Sequence, residues 1–296
     1  MKRSAAAMAD EVINAPLPVQ PPPRLLAAEL APLLTEPFAS AWQQPLPDTA
    51  QGLRGRLLHR LGATKAAEAG LHTTRRRPLL SVLLAPGVRA QTLYLAQPGQ
   101  TLRPGEPLRV RLIELAPGAR LDPALLGTAA ELQRRRREWL LLSGSAQLGG
   151  EWLSQRDYAV TPAGQATPVW MSKAGATLFL RESEQAVQAR DLPILVRDAD
   201  AGWPDFAPGV QRRVLWQDKG QAAMLYHAEA GAQMPPHRHG HDEECLMVQG
   251  ELFLDDLLLQ PGDYQLAPAG SGHRVTETDT GVVLYAHGDL ELQFVG

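Results

Sequence analysis

The sequence predicts an all-β protein, sandwich or barrel, built as two tandem copies of one domain behind a short helical arm. Three observations carry that prediction. Glycine (26) and proline (25) punctuate a chain of 296 residues at a density usual where many short strands are joined by turns. From about residue 78 onward the apolar segments are short and strand-like, with no long helical period. One stretch of this region also repeats another at a fixed offset.

Residues 1–77 differ from the rest. Residues 15–23, APLPVQPPP, are a proline-rich connector that favours extended polyproline conformations. The pattern predicts a helix over 24–36, kinked or divided at Pro32. After the proline-rich gap QQPLPD it predicts another over 49–70. There Leu53, Leu57, Leu58 and Leu61 form one stripe, with Arg54, Arg56, His59 and Arg60 mostly on other faces. Such a stripe either packs on its own domain or offers an amphipathic surface to a partner protein. Strand-like segments follow at 79–84, 109–115, 139–142, 176–180, 222–227, 245–248 and 281–286, separated by turn formers.

The repeat lies inside this strand-rich region. Residues 144–164 (GSAQLGGEWLSQRDYAVTPAG) and 250–270 (GELFLDDLLLQPGDYQLAPAG) agree without gaps at eight of 21 positions, offset by 106. Both spell strand, tight hairpin, strand and a Pro-x-Gly turn. The expected organisation is an N-terminal segment over 1–77, one β-domain over 78–195 and a second over 196–296.

Composition narrows the function. A net charge of −3 gives no electrostatic case for direct nucleic-acid binding. No apolar run reaches the ~18 residues of a membrane span. A single cysteine, Cys245, rules out an intrachain disulfide framework and any cysteine-rich zinc motif, and the expected location is cytoplasmic.

Histidine placement points to the C-terminus. Six of the eight histidines (His227, His237, His239, His241, His273 and His287) follow residue 226. They include Gly231-x5-His237-x-His239-x3-Glu243-x6-Gly250, then Gly262-x5-Pro268-x-Gly270-x2-His273-x3-Glu277. Alternation along a strand points His237 and His239 the same way. Glu243 returns a carboxylate after a short turn, and His273 closes the set from a later strand. Three imidazoles and one carboxylate suit a single borderline divalent ion and leave one or two positions for water or substrate. Cys245, two residues after Glu243, belongs on the same inward face, either as a small buried apolar residue or as a sulfur within reach of a metal or oxidant. His241 sits between ligands, as a loop residue or a proton relay. His227 and His287 read as structural.

These two motifs resemble the signature boxes of the cupin superfamily, departing only at Glu277, where asparagine is common. The resemblance implies two double-stranded β-helix (jelly-roll) barrels, the second holding its metal inside through His237, His239, Glu243 and His273. At the offset of 106 the first copy has Arg137 in place of Glu243 and Thr167 in place of His273. Glu131 and Gln133 stand for the paired histidines, with an insertion needed upstream of Trp139. The first barrel is therefore expected to be metal-free. If the run 134–137 lies on a strand, Arg135 and Arg137 face its lapsed pocket, binding an anion or pairing with a carboxylate.

Residues 53–77 resemble the connector of ChrR-type anti-sigma factors, in which a helical domain sequesters a sigma factor ahead of a zinc cupin. The His-x3-Cys-x2-Cys zinc motif of such helical domains is missing here. The resemblance implies a regulator that binds an extracytoplasmic-function sigma factor through residues 24–70 and senses an oxidant or small ligand at its metal. The alternative is a cupin dioxygenase, with Glu243 detaching to act as base. A third reading is a metal-stabilised small-molecule binder. Zinc is the leading ion, and the same ligands accept iron, manganese, nickel or copper. Strand exchange into a homodimer is compatible with either reading.

Overall fold

The computed structural model describes Gly55, Arg56 and Leu58, residues 70–188 and residues 191–295. The chain divides into two compact units, Met1–Arg60 and Leu61–Gly296. In the first, Gly55, Arg56 and Leu58 are helical. The helix expected over 24–36, the proline-rich connector and most of the leucine stripe lie outside the described residues, as does nearly all of the partner surface expected over 24–70. No helix among the described residues is long and apolar enough to cross a membrane.

The second unit is two β-barrels of the same design. Each has a seven-stranded antiparallel sheet facing a four-stranded one, with strands in equivalent order. In the first barrel the large sheet runs Ile194–Val196, Tyr158–Thr161, Arg135–Gly144, Ala176–Glu184, Pro107–Leu115, Val88–Leu95, Val82–Ala85. In the second it runs His72–Thr74, Tyr264–Ala267, Glu243–Gly250, Val282–Asp289, Gln221–Ala228, Val210–Asp218, Asp205–Ala207. Each expected strand-like segment falls within or largely over one of these strands except 79–84. There Pro78, with its fixed φ, opens a 3-10 turn over Pro78–Leu80, and the strand begins only at Val82.

The two edge strands are exchanged. His72–Thr74 precedes the first barrel in sequence yet pairs with Tyr264–Leu266 of the second. Ile194–Val196, leading into the second barrel, pairs with Tyr158–Val160 of the first. The repeated aspartates lock both crossings. Asp263 accepts from the backbone N–H of Arg76 at 2.9 Å and from the Arg75 guanidinium at 2.6 Å. Asp157 accepts from the N–H of Asp198 at 2.7 Å and from Arg197 at 3.3 Å. Covering an edge in this way satisfies backbone groups that would otherwise invite foreign strands.

Two repeated glycines explain another part of the duplication. Gly144 (φ 78°) and Gly250 (φ 74°) end the long strands where the chain turns into the small sheet. A Cβ would lie 2.2 Å from the carbonyl oxygen of Gly175 in one case and 2.0 Å from that of Gly281 in the other. Only glycine permits both the left-handed φ and the close approach.

The central strands are buried on both faces, so alternation sorts their side chains between two cores. Along Arg135–Gly144, Trp139 and Leu141 enter the first barrel, while Leu140 joins a cluster shared with Leu246, Tyr264 and Tyr285 of the second. The barrels thus pack back to back. Embedded in this apolar seam is an ionic cluster on equivalent positions, Glu138 with Glu244 and Arg181 with His287. Arg181 donates to Glu244 at 2.7 Å and to Glu138 at 3.0 Å. Tyr264 donates to Glu244 at 2.9 Å, Tyr158 donates to Glu138, and His287 Nε2 lies 3.7 Å from Glu138. Arg136 faces the same way, bonded to Glu138 at 3.1 Å with its guanidinium 4.0 Å over the Trp216 ring.

Burial, reinforced by Arg181, depresses the His287 imidazole from 6.5 to about 3 against the opposing pull of Glu138. The unfolded chain takes up this proton below pH 6.5 and the folded chain does not until about pH 3, so the His287 contribution falls with pH across that window. Wild-type protein should therefore lose up to about 1.4 kcal/mol per pH unit relative to His287→Gln between about pH 6 and 4. Urea unfolding of both proteins across that range measures the difference, and parallel curves would refute it.

Candidate metal centre and its cavity

The residues of the two sequence boxes converge at one end of the second barrel. His237 and His273 are cross-strand partners on the short strands His237–Arg238 and Gly272–His273. His239 is held where its N–H bonds the carbonyl of Ser271 at 3.0 Å and its carbonyl accepts from Gly270 at 2.7 Å. Glu243 begins the long strand Glu243–Gly250. Gly288, on the neighbouring strand, leaves space for it, since a Cβ there would lie 3.3 Å from Glu243 Cα, Cβ and Cγ.

The three imidazoles are 5%, 3% and 3% exposed at His237, His239 and His273, too little for solvated surface histidines. Their ring centroids stand 5.0–5.7 Å apart. Single donor atoms of His237, His239 and Glu243 lie within 4.8 Å of one another. Glu243 Oε2 is 3.2 Å from His239 Nε2 and 3.7 Å from His273 Nε2. His237 Nδ1 bonds the Pro235 carbonyl at 3.0 Å, and His273 Nδ1 makes a 3.5 Å contact with Asp255. Such outer contacts leave Nε2 as the inward lone pair.

Asp255 has left-handed backbone (φ 53°), a conformation aspartate tolerates better than most residues. Burial pushes its carboxyl up, but His273 and the N–H groups of Arg274 and Val275 hold it below the ordinary value. Both ring nitrogens of His239 and Nε2 of His273 are buried without a hydrogen-bond partner. Burial lowers the His239 pKa, which keeps its lone pair available. Buried polar atoms without partners are costly, and a divalent cation among these nitrogens and the Glu243 carboxylate would satisfy them. The residues present fit a metal ion.

His237, Glu243 and His273 head a small cavity of about 60 Å³ in the barrel, walled chiefly by Tyr226, Met234, Leu252, Leu254 and Leu284, with Cys245 on its side. The Cys245 thiol is raised well above its ordinary value by burial and by Glu243 and Glu244, which disfavours the thiolate. His241 lies outside this cavity, its ring Nδ1 2.5 Å from Asp289. His227, half-buried, bonds Gln211 at 3.1 Å and packs on Trp203. Sequence reasoning missed Asp255 and the Pro235 carbonyl, because nothing in the motif spacing marks what holds a ligand's far nitrogen.

The first barrel differs at the same places. Glu131 and Gln133 lie on the short helix Ala129–Arg134, not on a strand, so they have no counterpart to the shared direction of the paired histidines. Glu131 is spent on a capping box with Thr128 and on Arg135 at 2.9 Å. The long strand starts at Arg135, and Arg135 contacts Glu182 on the inward face. The interior is filled where the second barrel is open. Trp139 and Trp170, both fully buried with centroids 5.2 Å apart, stand at the places of Cys245 and Thr276, and Leu180 at that of Ala286.

Comparison with known proteins agrees with this fold. Residues 192–291 match the family model for the ChrR cupin-like domain. No curated protein matches the chain. Among solved structures, a mutant of Bacillus subtilis oxalate decarboxylase superposes with a TM-score of 0.52 at 15% identity, covering 74% of this chain and 77% of that one. The protein Ylba from E. coli gives 0.55 at 13%, covering 75% and 93%. A provisionally assigned dioxygenase from Nostoc punctiforme gives 0.51 at 16%, covering 64% and 73%. At such identities the shared property is the fold. The C-terminal barrel is thus similar to the ChrR cupin-like domain, and the two barrels share the fold of these cupin structures.

Proposed function

We propose that the C-terminal cupin domain binds one divalent metal ion through His237, His239, Glu243 and His273, and that it serves as the sensory half of a ChrR-like regulator. One observation carries the reading: buried imidazole nitrogens without partners face a carboxylate at the head of an apolar cavity. A purely structural ion needs no such space beside it, whereas a sensor or an enzyme does. The cavity suits a small, largely apolar molecule, or an oxidant reaching the metal. The match of residues 192–291 to the ChrR cupin-like domain supports the regulatory context, with zinc as the leading ion and a sigma factor bound through residues 24–70.

Metal analysis of purified protein is the test. The expected result is about one ion per chain in the wild type and almost none in His237→Ala or His239→Ala. Absence of stoichiometric metal from correctly folded wild-type protein would overturn the proposal. Capture of a sigma factor by the full chain, lost on deletion of residues 1–69, which spares the exchanged strand His72–Thr74, tests the regulatory half.

The apolar cavity also favours a second reading, a metal-dependent dioxygenase. A bound redox-active ion would there supply dioxygen binding and electron transfer. The chain would hold an apolar substrate against Leu252, Leu254 and Leu284, exclude water, and accept a proton at the Glu243 carboxylate. Iron or copper in the purified protein, with oxygen uptake on adding a substrate, would select this reading; zinc would select the first.

A further inference from the structure

The first barrel holds an unusual concentration of positive charge where the second holds its ligand set. Glu182, fully buried, is the counterpart of Gly288 and has Arg109 and Arg137 as its cross-strand neighbours. Its carboxylate accepts from Arg109 at 2.6 and 3.2 Å, from Arg111 at 3.0 Å and from Arg135 at 3.3 Å. Arg137, wholly buried at the place of Glu243, donates to the carbonyls of Leu132 and Gln165.

Four guanidinium groups therefore surround one buried carboxylate. Among the described residues the only other carboxylate paired with any of them is the half-exposed Glu131. Local charge is +3, or +2 with Glu131 included. Burying like charges without compensation is costly. The strain is visible at Arg111 and Arg137, whose guanidinium values burial pulls from 12.5 to about 10. Nε of Arg111 and Nε of Arg137 are buried donors without partners, as is the hydroxyl of Thr167, the residue at the place of His273. A surface depression walled by Leu125, Leu126, Gly127, Thr128 and Glu131 reaches Arg109, whose side chain is 22% exposed, while Arg111 and Arg137 lie buried behind it.

We propose that the mouth of the first barrel is an anion site, taking a small, multiply charged oxyanion of the carboxylate or phosphate class at Arg109, with the buried Arg111 and Arg137 adding positive charge from behind. Planar guanidinium forks bind both chemistries bidentately. The lapsed metal site has thus exchanged polarity: carboxylate and imidazoles that receive a cation in the second barrel are arginines that receive an anion in the first.

The test is calorimetric titration of the full-length protein with sodium phosphate and with sodium malonate, at fixed ionic strength against sodium chloride. Saturable binding of either, about one site per chain, is expected. Arg109→Gln should weaken it about tenfold or more, as one charge-assisted donor group is lost. His237→Ala should leave it unchanged, which separates this site from the metal centre and makes the outcome independent of the proposed function. Binding of malonate alone, phosphate alone or both assigns the ligand chemistry within the oxyanion class. No saturable binding to the wild type would overturn the proposal. Binding lost in His237→Ala but kept in Arg109→Gln would overturn it equally. If Arg109→Gln fails to fold, Arg109→Lys keeps the charge but loses the fork and should still weaken binding.

Discussion

Arg181→Met is expected to destabilise the protein by about 3–5 kcal/mol, the usual cost of removing one member of a buried ion pair. Arg181 is 1% exposed and is the cation between two carboxylates of similar burial, Glu138 and Glu244. Burial pushes the Glu138 carboxyl up, yet Arg136, His287 and Arg181 together hold it far below the ordinary value. Burial leaves Glu244 raised even with Arg181 and Tyr264 bonded to it. Without the guanidinium, Glu244 would face Glu138 across the seam with only a tyrosine hydroxyl for support. Urea unfolding near neutral pH measures the loss. Replacing Arg181 and Glu244 together by apolar residues should recover much of it, since Glu138 keeps Arg136 as its partner and no charge is then stranded. A loss below about 1 kcal/mol in the single variant would mean that water reaches this seam and the ions are not dry.

Trp139→Ala should cost about 3–5 kcal/mol, the range for deleting a large buried aromatic side chain. The ring fills the first barrel against Trp170, and little around it can collapse, because Ile113, Leu178 and Leu180 are anchored on strands of one hydrogen-bonded sheet. The variant should also gain what the second barrel already has, an internal apolar cavity. Binding of benzene, followed by its effect on the melting temperature, should appear in Trp139→Ala and be absent from the first barrel of the wild type. Because the second barrel has its own cavity, the comparison is made in a Cys245→Leu background, which narrows that space. An unchanged stability and no new binding would show that the barrel closes around the deletion.

Both results bear on what the two barrels have become. The same strand order carries three imidazoles, a carboxylate and an open interior in one copy, and arginines and indoles in the other. At the place of Cys245 the first barrel has Trp139, and at that of Glu243 it has Arg137. Together with Trp170 and with Arg109, Arg111 and Arg135, those exchanges account for a filled core and a positive mouth.

Much of this was legible in the chain. Gly144, Asp157, Tyr158 and Gly164 recur as Gly250, Asp263, Tyr264 and Gly270 because turns with positive φ and buried anchors admit few alternatives. The spacing from His237 to Glu243, and on to His273, pointed to one site because strand alternation is a local property. Arg135 was expected to face inward once a strand was assumed, and it does. The seam cluster was also latent in the offset of 106, which carries Glu138 to Glu244 and Arg181 to His287. Those residues fall outside the 21-residue window of obvious identity, and two of them differ in type.

By itself, then, the amino-acid order determined the all-β class, the duplication and the four residues gathered at the mouth of the second barrel, since each follows from short-range periodicity and turn stereochemistry. The tertiary structure decided the exchange of edge strands, the buried ion cluster between the sheets and the two tryptophans closing the first interior. These depend on which faces meet and how much volume lies between them. Such quantities belong to pairs of distant segments, and no local pattern encodes them.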